Sequence, residues 1–167
     1  MGLQRTRLTL QTVEHIFQRH GWRYDILRNH IVTGFEGVPM LISVDEGREI
    51  LLMTVPMVPG RGMQGYRPAR PEAERDTAVY LGAVNYRLAL GAFTRDHHDG
   101  EIRYEVSVPV SGGILSDEQM EQILTIAVAA VTLRAPTINA LLSGRTTLAQ
   151  ALAELDRGSG APPAVAV

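Results

Sequence analysis

Three consecutive residues, Asp96-His97-His98, carry the donor types that metal-dependent hydrolysis needs: one carboxylate and two imidazoles. A metal ion held by such side chains polarises a phosphoryl oxygen and generates hydroxide near neutral pH. The reaction class they suggest is phosphoester hydrolysis. Their setting points elsewhere. The triplet runs directly into Asp99-Gly100, between two strand-like segments at 92–95 and 101–108. Gly100 supplies the positive φ that a tight hairpin turn requires. Adjacent residues on a strand point to opposite faces, so His97 and His98 are not expected to chelate one ion together. The triplet reads as the polar apex of a hairpin.

The spelling is that of the DHH phosphoesterases, which combine it with several separate acidic and histidine motifs on a longer catalytic domain. This chain lacks those companions. A second motif, Gly60-Arg61-Gly62-Met63-Gln64-Gly65, matches the glycine pattern of dinucleotide sites. That pattern works when the glycines open a helix whose N-terminus faces the pyrophosphate. Pro68 and Pro71 stop a helix from opening at these glycines, and the flanking connections read as hairpins. A flexible loop is expected. His15 and His20, five residues apart on a helix, sit about 140° apart around it, a poor ligand geometry. No Gly-x-Ser-x-Gly elbow, His-Glu-x-x-His or P-loop occurs. No catalytic residue, cofactor or metal ligand is assigned, and the chain is not expected to be an enzyme.

What remains are surfaces. Arg61, Arg67, Arg70 and Arg75, with Tyr66 among them, form one basic cluster. Such a cluster contacts nucleic acid through phosphate charge and stacking, meets an acidic protein surface, or stays solvated. The net charge of -2 on 167 residues argues against a general polyanion binder. All sixteen basic residues are arginine, which fits bidentate interface chemistry and equally a GC-rich coding bias.

A second surface comes from the helix expected at 120–133. Met120, Ile123, Leu124, Ile126, Ala127, Val128, Ala130, Val131 and Leu133 cover about two-thirds of its circumference at 100° per residue. A helix with one buried face needs a stripe little wider than ~100°. Either the helix is central, or Met120, Ile123, Ile126, Ala127, Ala130 and Leu133 include residues buried against a second copy.

The elements that position these residues follow from periodicity and capping. Thr9 and Gly21 bracket a helix at 10–20. Residues 22–27 fit a short strand or an extension. Runs at 31–36, 38–44 and 49–55, separated by Gly-containing gaps, read as an antiparallel meander. A loop at 58–71 leads into a helix that starts at Pro71 and runs to about 88. The hairpin at 92–108 comes next. Ser116 and Gln119 form a capping box for the long helix, which Pro136 is expected to kink or restart. Thr146 is the expected cap of a last helix at 147–155. The order is helix, three strands, helix, two strands, helix, short helix: an α+β fold with an antiparallel sheet of about five strands.

The expected organisation is an N-terminal arm at 1–7, one domain at 8–155 and a disordered tail at 156–167. There is no cysteine, and no run of about 20 continuous apolar residues. Neither a signal peptide nor a membrane span is expected, which suits the cytoplasm.

Leu8-Thr9-Leu10-Gln11-Thr12-Val13-Glu14, then Gly21-Trp22, then Asn85-Tyr86-Arg87-Leu88 with Gly91 and Phe93, make the chain resemble the YbjN family. Asp99-Gly100-Glu101-Ile102-Arg103-Tyr104 and Ala140-Leu141-Leu142-Ser143-Gly144 fit as well. The resemblance implies a fold like that of type III secretion chaperones, an α/β sandwich that is usually dimeric and binds protein partners without nucleotide hydrolysis. It implies a homodimer acting on an unidentified client protein. The long loop at 58–71 departs from the family pattern and is a candidate for client specificity.

Overall fold

The computed structural model describes residues 7–158. The elements run α1 (Leu10–His20), β1 (Tyr24–Leu27), β2 (His30–Phe35), β3 (Val38–Asp45), β4 (Ile50–Val58), α2 (Pro71–Asn85), β5 (Ala92–Arg95), β6 (Ile102–Pro109), a 3-10 turn (Ser111–Gly113), α3 (Asp117–Leu142) and α4 (Leu148–Gly158). The strands form one antiparallel sheet in the order β1-β2-β3-β4-β6-β5. The sheet has six strands rather than five. The additional one is β1, which pairs with β2 across a two-residue turn that holds Arg28 at φ 55°. Its exposed Asp25, Ile26 and Leu27 lack the alternation that marks a half-buried strand.

One sheet face is buried and the helices cover it. Ile31, Ile42, Met53 and Val106 are buried and register-matched across four strands. Val55, Tyr104 and Phe93 form a second such row. On the opposite face Leu41, Thr54, Glu105 and Ala92 are only half-buried. The helix α3 packs on β4 and β6, α2 on β5, and α1 on β2, while α2 also packs against α3 and α4.

The helix ends obey local chemistry. Thr9 and Thr12 form a reciprocal capping box on α1, and Gly21 closes it in the left-handed conformation. Ser116 and Gln119 do the same at the start of α3. Three boundaries differ from expectation. The helix α2 stops at Asn85 rather than near 88. Pro136 does not restart α3, which runs through it as one helix; it sits at an exposed position, where water can satisfy the carbonyl that it leaves without a donor. The cap of α4 is Thr147, not Thr146: its hydroxyl accepts from Gln150 N at 3.3 Å, and Gln150 Oε1 accepts from Thr147 N at 3.1 Å. This helix continues to Gly158, past the expected end at 155, and its Asp156 pairs with Arg87. The expected arm at 1–7 and tail at 156–167 otherwise lie outside the described residues, apart from residue 7. By length and composition α3 could cross a bilayer, yet its Met120, Leu124 and Ala127 are fully buried in the core.

Asn85 explains why α2 ends where it does. Its amide donates from Nδ2 to Phe93 O at 2.9 Å and accepts at Oδ1 from Phe93 N at 2.8 Å. The side chain thus stands in for a neighbouring strand on the free edge of β5, where unpaired backbone groups would otherwise remain. Gly91, at φ 71°, makes the approach possible. A Cβ there would lie 2.5 Å from the Tyr104 hydroxyl and 2.8 Å from Glu105 O. The Tyr104 hydroxyl donates to Leu90 O at 2.5 Å, and burial raises its pKa. Two substitutions test this corner by urea denaturation. Asn85→Ala should cost about 2–3 kcal/mol, because two backbone groups lose their partner. Gly91→Ala should cost about 2 kcal/mol or more, from the left-handed backbone and the clash. Unchanged midpoints would show that the corner is not a stabilising joint.

Candidate partner-binding surface

Beyond β4 the chain enters a loop whose glycines serve turns. The register between β4 and β6 shifts between Pro56 and Val58, and the chain leaves the sheet soon after. Gly62 and Gly65 adopt φ 87° and 86°. Met63 N donates to Gly60 O at 3.0 Å and Tyr66 N to Met63 O at 3.2 Å. The next helix begins only at Pro71, so no helix N-terminus opens at the glycine motif. The loop is fastened to the β5–β6 hairpin. Arg61 N donates to Asp99 O at 2.7 Å, and Gly60 is buried so tightly that an added Cβ would collide with the Asp99 carboxylate.

This fastening displays cations without partners. Arg61, Arg67 and Arg70 are exposed, and among the described residues none has a carboxylate within ion-pair distance. Tyr66 is half-buried beside them. Arg75 stands apart, on α2 and 3.8 Å from Asp76. The fold brings in a cation that the sequence reading missed. Arg145, just past α3, joins Arg67 at the rim of a groove of about 580 Å³ whose walls include Met57, Val58, Pro59 and Leu142, with Asn139 and Ser143 alongside. Arg145 Nε donates to Ser143 Oγ at 2.9 Å, and no carboxylate lines the groove. Two guanidinium groups over apolar walls suit an anionic group carried on an apolar body.

The residues proposed for the long helix divide into two sets. Met120, Ile123, Ala127 and Ala130 are buried within the chain, together with Leu124, Val128 and Val131. Ile126 is half-buried, and Leu133 is 64% exposed. The central-helix reading accounts for the first set; on the outer edge of α3, Ile126 is half-covered and Leu133 is uncovered.

The Asp96-His97-His98 triplet lies at the hairpin apex, as expected. Asp96 N donates to Glu101 O at 2.8 Å, Gly100 N to Asp96 O at 2.9 Å and His98 N to Asp96 Oδ1 at 2.7 Å. This last bond, chiefly, holds the Asp96 carboxyl below its usual range, with the nearby His98, His97 and Arg103 adding to the effect. One expectation fails. The two histidines lie in the turn and not on a strand, so they do not face apart; their ring centroids are 3.8 Å apart. His15 is exposed, while His20 stacks on Trp22 and lies 3.2 Å from Asp117.

Comparison with known proteins bears on this arrangement. Residues 9–138 match the YbjN family, described as "Putative bacterial sensory transduction regulator". The chain belongs to the YbjN family. Similar solved structures include YbjN from E. coli, with a TM-score of 0.56 at 14% identity, covering 78% of this chain and 90% of that one. An uncharacterized protein from Methanothermobacter thermautotrophicus has a TM-score of 0.54 at 12% identity, covering 81% and 99%. A chain of the ExsC-ExsE complex has a TM-score of 0.54 at 16% identity, covering 78% and 96%. No curated protein matches the sequence. The α+β, type III secretion chaperone-like fold expected from the resemblance is the one found.

Within this YbjN-family chain the motif residues have physical roles. Asn85, Gly91, Phe93 and Tyr104 build the α2–β5–β6 corner, and Asp99-Gly100 shapes the apex that anchors the arginine loop. Arg145 was visible in the sequence only as an isolated cation after a helix; no local pattern links it to Arg67, and only the packing of the loop on α3 does. If Asp99 holds the loop, Gly60→Ala should release it. Hydrogen exchange at the Arg61 amide should then accelerate while the global unfolding midpoint changes little. Unaltered protection at Arg61 would mean that the loop is held elsewhere.

Proposed function

We propose that this YbjN-family chain is a non-enzymatic protein-binding module, chaperone- or adaptor-like, that acts in the cytoplasm as a homodimer on a client protein. The observation that carries the reading is that Arg61, Arg67 and Arg70 have no ion-pair partner among the described residues, and that Arg67 is joined by Arg145 at an apolar groove that no carboxylate lines. An acidic client segment would supply the missing charges, and arginine pairs with carboxylates bidentately. The fold shared with a chain of the ExsC-ExsE complex supports a role in binding protein. The second surface is the outer edge of α3, where Ile126 and Leu133 would be covered by the other copy. The same cations would attract nucleic acid, but the net charge of -2 favours a protein client.

Two measurements test these surfaces. The triple variant Arg61→Glu/Arg67→Glu/Arg145→Glu should lose the client that the wild-type chain captures from its native lysate, with thermal stability unchanged. Equal capture would remove the arginine surface from the proposal. In sedimentation at micromolar concentration the wild-type chain should be a dimer, and Ile126→Glu/Leu133→Glu a folded monomer. A monomeric wild-type chain would overturn the homodimer.

A further inference from the structure

The β5–β6 turn gathers one carboxylate and two imidazoles whose ligating atoms all lie within 4.8 Å of one another. Asp96 is half-buried, and His97 and His98 are exposed. Neither imidazole has a hydrogen-bond partner among the described residues; their ring contact is with each other. We propose that Asp96, His97 and His98 form a binding site for one divalent transition metal of the imidazole-preferring class, such as Zn²⁺ or Co²⁺, in a structural or regulatory role.

Several features support the site. Zinc with nitrogen ligands at about 2.0–2.1 Å sets donors roughly 3.3 Å apart, so the three donors, within 4.8 Å of one another, need to close by at most about 1.5 Å. Exposed side chains can do this by small rotations. The Asp96 carboxylate is already positioned, because Oδ1 accepts the His98 N–H at 2.7 Å and leaves Oδ2 available. The two nearby cations each have a carboxylate partner: Arg103 lies 2.8 Å from Glu101, and Arg95 2.8 Å from Glu74. Two imidazoles with one carboxylate select zinc, cobalt, nickel or copper over the oxygen-seeking Mg²⁺ and Ca²⁺. No fourth ligand, histidine or acidic, joins the group among the described residues. Three protein ligands leave a position for water or for a side chain of a partner. A paired-metal phosphoesterase centre needs ligands for two ions about 3.5–4 Å apart, more than this turn supplies. Its consequence is mechanical instead. The turn carries Asp99, whose carbonyl holds Arg61 and whose carboxylate abuts Gly60, so a bound ion would stiffen the anchor of the arginine loop.

The test uses the untagged full chain, freed of metal with a chelator and titrated with Zn²⁺ alone by calorimetry at about pH 7.5, where imidazoles are mostly neutral. Co²⁺ is titrated in parallel and followed by its visible absorption. One saturable equivalent per chain is expected. His97→Ala and His98→Ala should each weaken binding at least about 10-fold, whereas His15→Ala and His30→Ala should leave it unchanged. The variants lie in an exposed turn, and thermal melts check that they fold. Absence of a stoichiometric equivalent, or wild-type affinity in the His97→Ala/His98→Ala double variant, would overturn the site.

Discussion

The amide of Asn85 bonds both backbone groups of Phe93, and the arrangement of one end of the molecule follows from that pairing. The bonds fix the end of α2 against the outer edge of β5, so the short edge strand does not present bare donors and acceptors to solvent. With β5 held, β6 fills the space between β5 and β4, and Tyr104 reaches Leu90 across a gap that only glycine at position 91 leaves open. The pairing is local in chemistry but long in consequence. It sets the direction of the hairpin, and the hairpin apex sets the position of the loop after β4.

That loop shows how a charged surface is kept available. A free cation near the surface ordinarily finds a carboxylate, as Arg19 does with Asp117 and Arg95 with Glu74. Among the described residues Arg61, Arg67 and Arg70 do not, because their loop carries no acidic residue and is fastened through backbone and glycine contacts to the hairpin apex rather than through side-chain ion pairs. These three side chains remain exposed, and Arg67 lines an apolar groove with Arg145. Such a surface has little to gain from its own chain and more from an anionic partner.

What was legible in the sequence was whatever depends on residues three or four apart. Thr9, Ser116 and Gln119 were readable as caps, since the hydroxyl or amide of each meets a backbone N–H within one turn. Gly21 was readable as a stop for the same reason, and Asp99-Gly100 as a turn. Misreadings occurred where a second element intervenes or where neighbouring candidates compete. Residues 22–27 carry no alternation and so read equally as a strand or an extension; β1 exists because β2 lies two residues away to pair with it. Thr146 and Thr147 are chemically equal candidates for one cap, and the helix start selects the second. Pro136 is tolerated because the helix exposes that position to water.

The candidate surfaces divide in the same way. Residue order alone determined that the chain would form an antiparallel sheet with helices packed on it, that its glycine motif would be a loop and that Asp96-His97-His98 would cap a hairpin. It also determined the family, through residues whose roles are local turns and one helix-end amide. Tertiary structure alone decided that Arg145 shares a groove with Arg67, that Met120 and Ala127 face inward while Leu133 stays outside, and that His97 and His98 lie side by side. Each of these depends on where the chain goes after a turn or on which helix face meets the sheet. Backbone direction is set by packing between segments distant in sequence, which neither the type nor the spacing of neighbouring residues encodes.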